Sequence, residues 1–231
     1  MVCAVLCAAC CWCAPLFAGE RADPSVQATI RAAKMGDPAA QLRLGDMYDL
    51  GQGVAQDQRE AVRWYALSAR QGNAQAQFAL AEMYKNGDGV NRDLQEALKW
   101  YRKAADQGHP GAQLLLGVIY ESGTGVTPDL REAARWYRLA ANGGDARAQL
   151  LLGNFYNTGQ GVARNAVAAY ALYTVSAGRV AQNNPALTHR ANLAKGMSTA
   201  EVDRATALAR EMDAPGKLLE ALDRHLAKPA R

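Results

Sequence analysis

The sequence predicts an all-α protein built as a solenoid of tandem helical hairpins. Three observations carry that expectation. A pattern recurs every 36 residues, seen in Trp64-Tyr65, Trp100-Tyr101, Trp136-Tyr137 and a weaker Leu172-Tyr173. Tyr48, Tyr84, Tyr120 and Tyr156 keep the same interval, as do Gln41, Gln77, Gln113 and Gln149. So do the glycine pairs Gly51/Gly53, Gly87/Gly89, Gly123/Gly125 and Gly159/Gly161. Self-similarity at a fixed period of this size marks a stack of units, each burying its apolar face against its neighbours.

The elements follow in order. Residues 1–18 read as a targeting segment. Val2 to Phe17 carries no charge and holds all five cysteines of the chain. That length suits a secretory signal better than a membrane span. Cleavage after Ala18 is the expectation, although no Lys or Arg precedes the run and Leu16 fits the site poorly. A lipoprotein signal acylating Cys10 is one alternative reading, and an uncleaved anchor or a misplaced start codon the other. Removal of the segment leaves no cysteine, hence no disulfide framework and no thiol chemistry.

Residues 19–36 are expected to cap the stack, with a helix from Asp23-Pro24 to about Ala33. Four units follow, at 37–72, 73–108, 109–144 and 145–180. Each first helix opens on a capping residue: Asp37, Asn73, His109 or Asp145, with Pro38 and Pro110 at the tolerated first position. It stops at the Gly-x-Gly turn. The second helix opens on Asp57, Asp93, Asp129 or Asn165, and Gly72, Gly108 and Gly144 supply the left-handed residue that closes it. The fourth unit departs, with Val180 in place of that glycine. Mid-helix Gly45, Ala81, Gly117 and Gly153 predict a close crossing, an aromatic ring of the second helix lying on bare backbone. Residues 181–231 read as a degenerate fifth pair and closing helices: Pro185–Lys195, a capping box Ser198-x-x-Glu201 opening a helix to Met212, and Lys217–Ala227.

These residues resemble the SEL-like repeat family, relatives of the tetratricopeptide repeat. The match is Ala-Gln-Leu-x-Leu-Gly-x-x-Tyr, then Gly-x-Gly-Val, Ala-x-x-Trp-Tyr and Ala-x-x-Gly, over roughly residues 37–180. A tetratricopeptide array has a 34-residue period and lacks the Gly-x-Gly turn. The resemblance implies a right-handed α/α superhelical solenoid that binds a protein or peptide on its concave side. Exported bacterial relatives are similar to adaptors and regulators of the cell envelope. Secreted relatives associated with penicillin binding carry a cysteine pair in every repeat, and these repeats carry none.

Comparing the four units with one another separates framework from freedom. Positions 43, 46 and 50 vary while their neighbours repeat: Arg43/Asp46/Leu50, Ala79/Glu82/Asn86, Leu115/Val118/Ser122 and Leu151/Asn154/Thr158. Spacings of three and seven place them on one helical face. The expected partner-binding groove is therefore Arg43, Asp46, Leu50, Glu82, Leu115, Val118, Leu151 and Asn154, changing from charged to apolar along the stack. Such a face suits an extended or helical peptide with a mixed surface; the alternative is that its leucines are half-buried between first helices. Glu60, Glu96 and Glu132, three residues before Arg63, Lys99 and Arg135, read as solvated ion pairs.

No enzyme chemistry is expected. His109, His189 and His225 lack metal-ligand spacing, the Gly-x-Gly turns lack a phosphate-loop lysine, and no Gly-x-Ser-x-Gly elbow is present. A net charge of +4 spread along the chain argues against a nucleic-acid partner. The sequence thus predicts a non-enzymatic, cofactor-free, monomeric scaffold or adaptor in the periplasm or secreted. A host-directed secreted interaction protein is the runner-up and a hydrolase of wall or β-lactam substrates the third reading.

Overall fold

The computed structural model describes residues 24–179, 184–214 and 216–227, which hold twelve α-helices and no strand. The targeting segment at 1–18, Asp23 and Val180 lie outside the described residues. Helix α1 (Pro24–Lys34) precedes four hairpins: α2 (Pro38–Leu50) with α3 (Gln58–Arg70), α4 (Ala74–Asn86) with α5 (Leu94–Asp106), α6 (Pro110–Ser122) with α7 (Leu130–Asn142), and α8 (Ala146–Thr158) with α9 (Ala166–Arg179). Helices α10 (Pro185–Ala194), α11 (Thr199–Met212) and α12 (Leu218–Leu226) follow. From α1 to α9 each helix packs on the next in the chain, within hairpins and between them; α10 and α11 both pack on α9. The result is a helical solenoid.

The helix ends are set by the residues the sequence offers. The side chains of Asp37, Asn73 and Asp145 each accept from the amide three residues on, at 2.9, 3.0 and 2.7 Å. His109 does the same through Nδ1, accepting from the Ala112 amide at 3.2 Å. Asp57, Asp93 and Asp129 each accept two amides at the start of a second helix. These interactions satisfy donors that would otherwise be orphaned at a helix start. The capping box at Ser198 and Glu201 is closed in both directions.

The Gly-x-Gly turn joins units as well as helices. Its return leg is pinned by the Asp57 amide donating to the Tyr48 carbonyl at 2.9 Å, repeated at Asp93, Asp129 and Asn165. The second glycine then meets the preceding unit: a Cβ on Gly89 would lie 2.3 Å from the Gln58 carbonyl oxygen, and one on Gly161 2.2 Å from that of Leu130. Backbone approaches backbone there, which only glycine permits.

Inside each hairpin a tyrosine lies on the mid-helix glycine. A Cβ on Gly45, Gly117 or Gly153 would come within 2.5, 2.4 and 2.6 Å of the rings of Tyr65, Tyr137 and Tyr173. It is the tyrosine of each Trp-Tyr pair that makes this contact. Trp64 and Trp136 are buried as well, with Arg63 and Arg135 over their rings, and half-buried Trp100 carries Lys103 at 4.0 Å. Alanines on both sides, among them Ala61, Ala97, Ala133 and Ala169, are wholly buried and keep the helices close.

The recurrent glutamines are clamps between units. Gln41, Gln77, Gln113 and Gln149 are buried, and each Nε2 donates to a carbonyl in the last turn of the preceding helix: Ala33, Ala69, Ala105 and Ala141, at 3.0–3.2 Å. Asn184 continues the series with a shorter arm, donating to the Ser176 carbonyl at 2.7 Å. A buried amide left unpaired would cost about 1–3 kcal/mol, so these bonds enforce the register of the stack. On the outside, Glu60–Arg63, Glu96–Lys99 and Glu132–Arg135 form exposed ion pairs at 3.4, 2.8 and 3.2 Å.

Candidate functional site

The eight residues singled out from the sequence lie in register on α2, α4, α6 and α8. Arg43 and Leu50 are exposed, Leu50 at 62%. Leu115, Val118 and Leu151 are half-buried, their inner sides packed against the core. Asp46, Glu82 and Asn154 are half-buried for a different reason.

Each of these three is the acceptor for a tyrosine of its own hairpin. Tyr65 Oη donates to Asp46 Oδ1 at 2.9 Å and Tyr173 Oη to Asn154 Oδ1 at 2.8 Å. Tyr101 Oη donates to Glu82 Oε1, and Lys85 pairs with the other carboxylate oxygen. The third hairpin has Val118 at this place, and Tyr137 Oη turns instead to Glu121, one helical turn on. Variation along positions 46, 82, 118 and 154 is therefore bounded by a common duty. The ring that lies on the mid-helix glycine must find an acceptor at its outer end, because a buried hydroxyl needs a partner.

Burial pushes the Tyr65, Tyr101 and Tyr137 phenols far above the ordinary value, reinforced by the carboxylates beside them, so all three stay proton donors. Asp46 is raised too, first by burial and then by Asp49, with the Tyr65 hydrogen bond pulling the other way. Asp49 is raised by burial and by Asp88 of the next unit. The early part of the face is thus an acidic patch of Asp46, Asp49 and Asp88 beside the exposed Leu50. Its middle offers Leu115 and Val118, and its end offers Leu151 and the polar group around Asn154.

At that end a side chain of α10, which packs on α9, reaches α8. The His189 ring lies edge-on to Tyr173, with Nδ1 3.0 Å from Asn154 Oδ1. Asn157, Thr188, His189, Asn192 and Leu193 line an open cleft of about 500 Å³ there. A second cleft, of about 710 Å³, lies between the turns of the first two units, lined by Gln56, Asp57, Arg59, Gly89 and Asn91. Among the described residues no three His, Cys, Asp or Glu side chains come together as metal ligands, and no helix is long and apolar enough to cross a membrane.

The sequence pattern placed these eight residues in register on the first helices but did not show what fastens them. Glu121, Lys85, His189 and the tyrosine hydroxyls carry their polar bonds, and none was singled out for that role. A signal existed: the polar series Asp46, Glu82, Asn154 is broken by Val118, and a glutamate stands three residues later in that unit alone.

Comparison with known proteins agrees with this architecture. The Sel1 repeat model matches residues 38–73, 74–109, 110–145 and 146–177. Among solved structures, a Sel1 repeat protein from Oxalobacter formigenes is 38% identical with a TM-score of 0.69, over 73% of this chain and 48% of that one. The chain thus spans about half the length of that relative. A protective antigen of uropathogenic Escherichia coli displaying an SLR fold is 25% identical, TM-score 0.41, over 90% of this chain and 59% of its own. Cysteine rich protein B of Helicobacter pylori is 23% identical, TM-score 0.45, over 58% of this chain and 95% of its own. No curated protein matches the chain. Four consecutive matches to one repeat, each coinciding with a clamped helical hairpin, place the chain in the Sel1 repeat family.

Proposed function

We propose that this chain is a non-enzymatic scaffold that holds a protein or peptide in the concave groove lined by α2, α4, α6 and α8. Sel1 repeat proteins are in general protein-interaction scaffolds. The observation that carries the reading is the division of labour on this face. In every hairpin the tyrosine anchoring is preserved by whichever acceptor is present, while the residues beside it change freely from Arg43 and Leu50 to Leu115 and Leu151. A surface built the same way four times and decorated differently each time is suited to reading one extended partner along its length.

The partner that fits is a segment with basic residues toward the first two units, meeting Asp46, Asp49 and Asp88, and apolar residues toward Leu115 and Leu151. Charge complementarity of this kind sets register and on-rate, and the apolar part supplies most of the affinity. An envelope or secreted location, with a sensor or wall-assembly protein as partner, rests on the uncharged run Val2–Phe17 and belongs to the proposal.

The test is the pair of substitutions Leu115→Asp and Leu151→Asp, made together. Both side chains are half-buried, so circular dichroism and thermal melting are measured alongside. Loss of the partner with the helical signal and melting temperature retained supports the reading. Retained binding by a folded double variant overturns it.

A further inference from the structure

The last helix is held in an unusual way. Helix α12 packs on α11 and reaches back to α7, in the third hairpin. Leu218, Ala221 and Leu222 are buried beneath it. Its own N-cap residue, Lys217, has helical backbone angles and caps nothing; that side chain instead pairs with Glu220 at 2.7 Å. The missing cap comes from another element: Asn142 Oδ1, at the end of α7, accepts from the Leu219 amide at 3.2 Å. One turn earlier on α7, Arg138 pairs with Asp223 of α12 while also donating to Tyr156 Oη at 3.0 Å.

The preceding unit shows the same arginine without a helix over it. Arg102 donates to Tyr120 Oη as Arg138 does to Tyr156 Oη, yet it stays exposed and, among the described residues, pairs with no carboxylate. The Arg–Tyr contact therefore belongs to the repeat, and the Arg138–Asp223 pair is what α12 adds. A cap, a cation and an apolar floor together make a seat for the start of an amphipathic helix bearing an acid.

Two features make the occupant removable. A helix of nine residues is marginal in water by itself and keeps its shape only while docked. Its link to α11 runs through Gly216 at φ +69°, outside either helix. A short element outside the repeated hairpins, joined through a glycine link, opens at a lower free energy than the core it covers.

We propose that α12 is a detachable resident of a helix-docking seat between α11 and α7, and that a partner's amphipathic helix, with a leucine stripe and an acid to meet Arg138, takes its place. This site is separate from the face of α2, α4, α6 and α8 and does not depend on it.

The experiment uses the full chain and a fluorescent synthetic peptide of residues 216–227. Hydrogen exchange on the unaltered protein comes first: α12 amides exchange at least tenfold faster than those of α7 and α9. In Asp223→Arg the α12 amides exchange faster still, and the peptide binds saturably, because Arg138 is freed. The swapped variant Arg138→Asp/Asp223→Arg restores the slower exchange of α12 and excludes the peptide. Exchange of α12 in the unaltered chain at the rate of α9 overturns the proposal, whatever the variants do. Absence of saturable binding to Asp223→Arg, or equal binding to the swapped variant, overturns it as well.

Discussion

The hydroxyl of Tyr65 donates to Asp46 Oδ1 at 2.9 Å while the Tyr65 ring packs against the bare backbone of Gly45, one residue earlier on the same helix as Asp46. One side chain thus closes the hairpin twice, by packing along its length and by a polar bond at its tip. A double-mutant cycle of Tyr65→Phe and Asp46→Ala measures the second part. Each single change is expected to cost about 1 kcal/mol in chemical denaturation, and the pair to couple by about 1 kcal/mol. Additive losses would mean the bond contributes nothing beyond the ring.

Asp46→Asn keeps an acceptor, as Asn154 does in the fourth hairpin, and removes the charge. The folded protein raises the Asp46 pKa, chiefly by burial, so ionising this carboxyl opposes folding. Its favourable contribution is full below the unfolded value of 3.8 and is lost as pH rises through the raised folded value. Asp46→Asn is therefore expected to raise the melting temperature at pH 7, with the gain fading below pH 3.8. A gain that grows on acidification would contradict the account.

His109 does an aspartate's work at the start of α6. Its Nδ1 accepts from the Ala112 amide, Nε2 faces Gln75 Oε1 at 2.8 Å, and the ring stacks on Phe78 with centroids 4.6 Å apart. The geometry requires a neutral ring with its proton on Nε2, and burial lowers the pKa below its ordinary 6.5. Stability from this cap is present above 6.5 and is lost as pH falls toward the lowered folded value. His109→Asn, copying Asn73 one unit earlier, should flatten the pH dependence of the melting temperature below pH 6.5. An unchanged slope would assign that dependence to other groups.

The mid-helix positions are fitted one by one. A Cβ on Gly117 would sit 2.4 Å from the Tyr137 ring, whereas the second hairpin accommodates Ala81, wholly buried, beside Tyr101. Gly117→Ala recovers up to about 1 kcal/mol of helix propensity but forces the ring outward, for a net loss of about 1–2 kcal/mol. Ala81→Gly is expected to lose a similar amount, from propensity and a buried methyl. If either change stabilises the protein in urea unfolding, the spacing of the hairpins is not set by this contact.

Much of this was legible in the residues. Caps, glycine turns and the 36-residue phase are local chemistry repeated four times, so each copy confirms the others, and helices α2 to α9 and α11 begin at the expected caps. The close crossing at Gly45, Gly117 and Gly153 was readable because glycine mid-helix demands a reason. What a repeat comparison conceals is exchange between positions. Val118 and Glu121 share a duty that Asp46, Glu82 and Asn154 each perform alone, and only three-dimensional proximity shows it. The clamp role of the glutamines was hidden likewise, since its acceptors are backbone carbonyls with no side-chain signature. The return of α12 to α7 pairs residues 85 apart in the chain, Arg138 and Asp223, where no periodicity points.

The claim that the first-helix face grasps another polypeptide is tested most directly by site-specific photo-crosslinking in living cells. A photoreactive amino acid is placed at position 115 on that face, and in a separate strain at position 99, an exposed site on α5. The account predicts one discrete adduct from position 115, identified by mass spectrometry and absent from position 99. The same adduct from both positions, or one from position 99 alone, would contradict it.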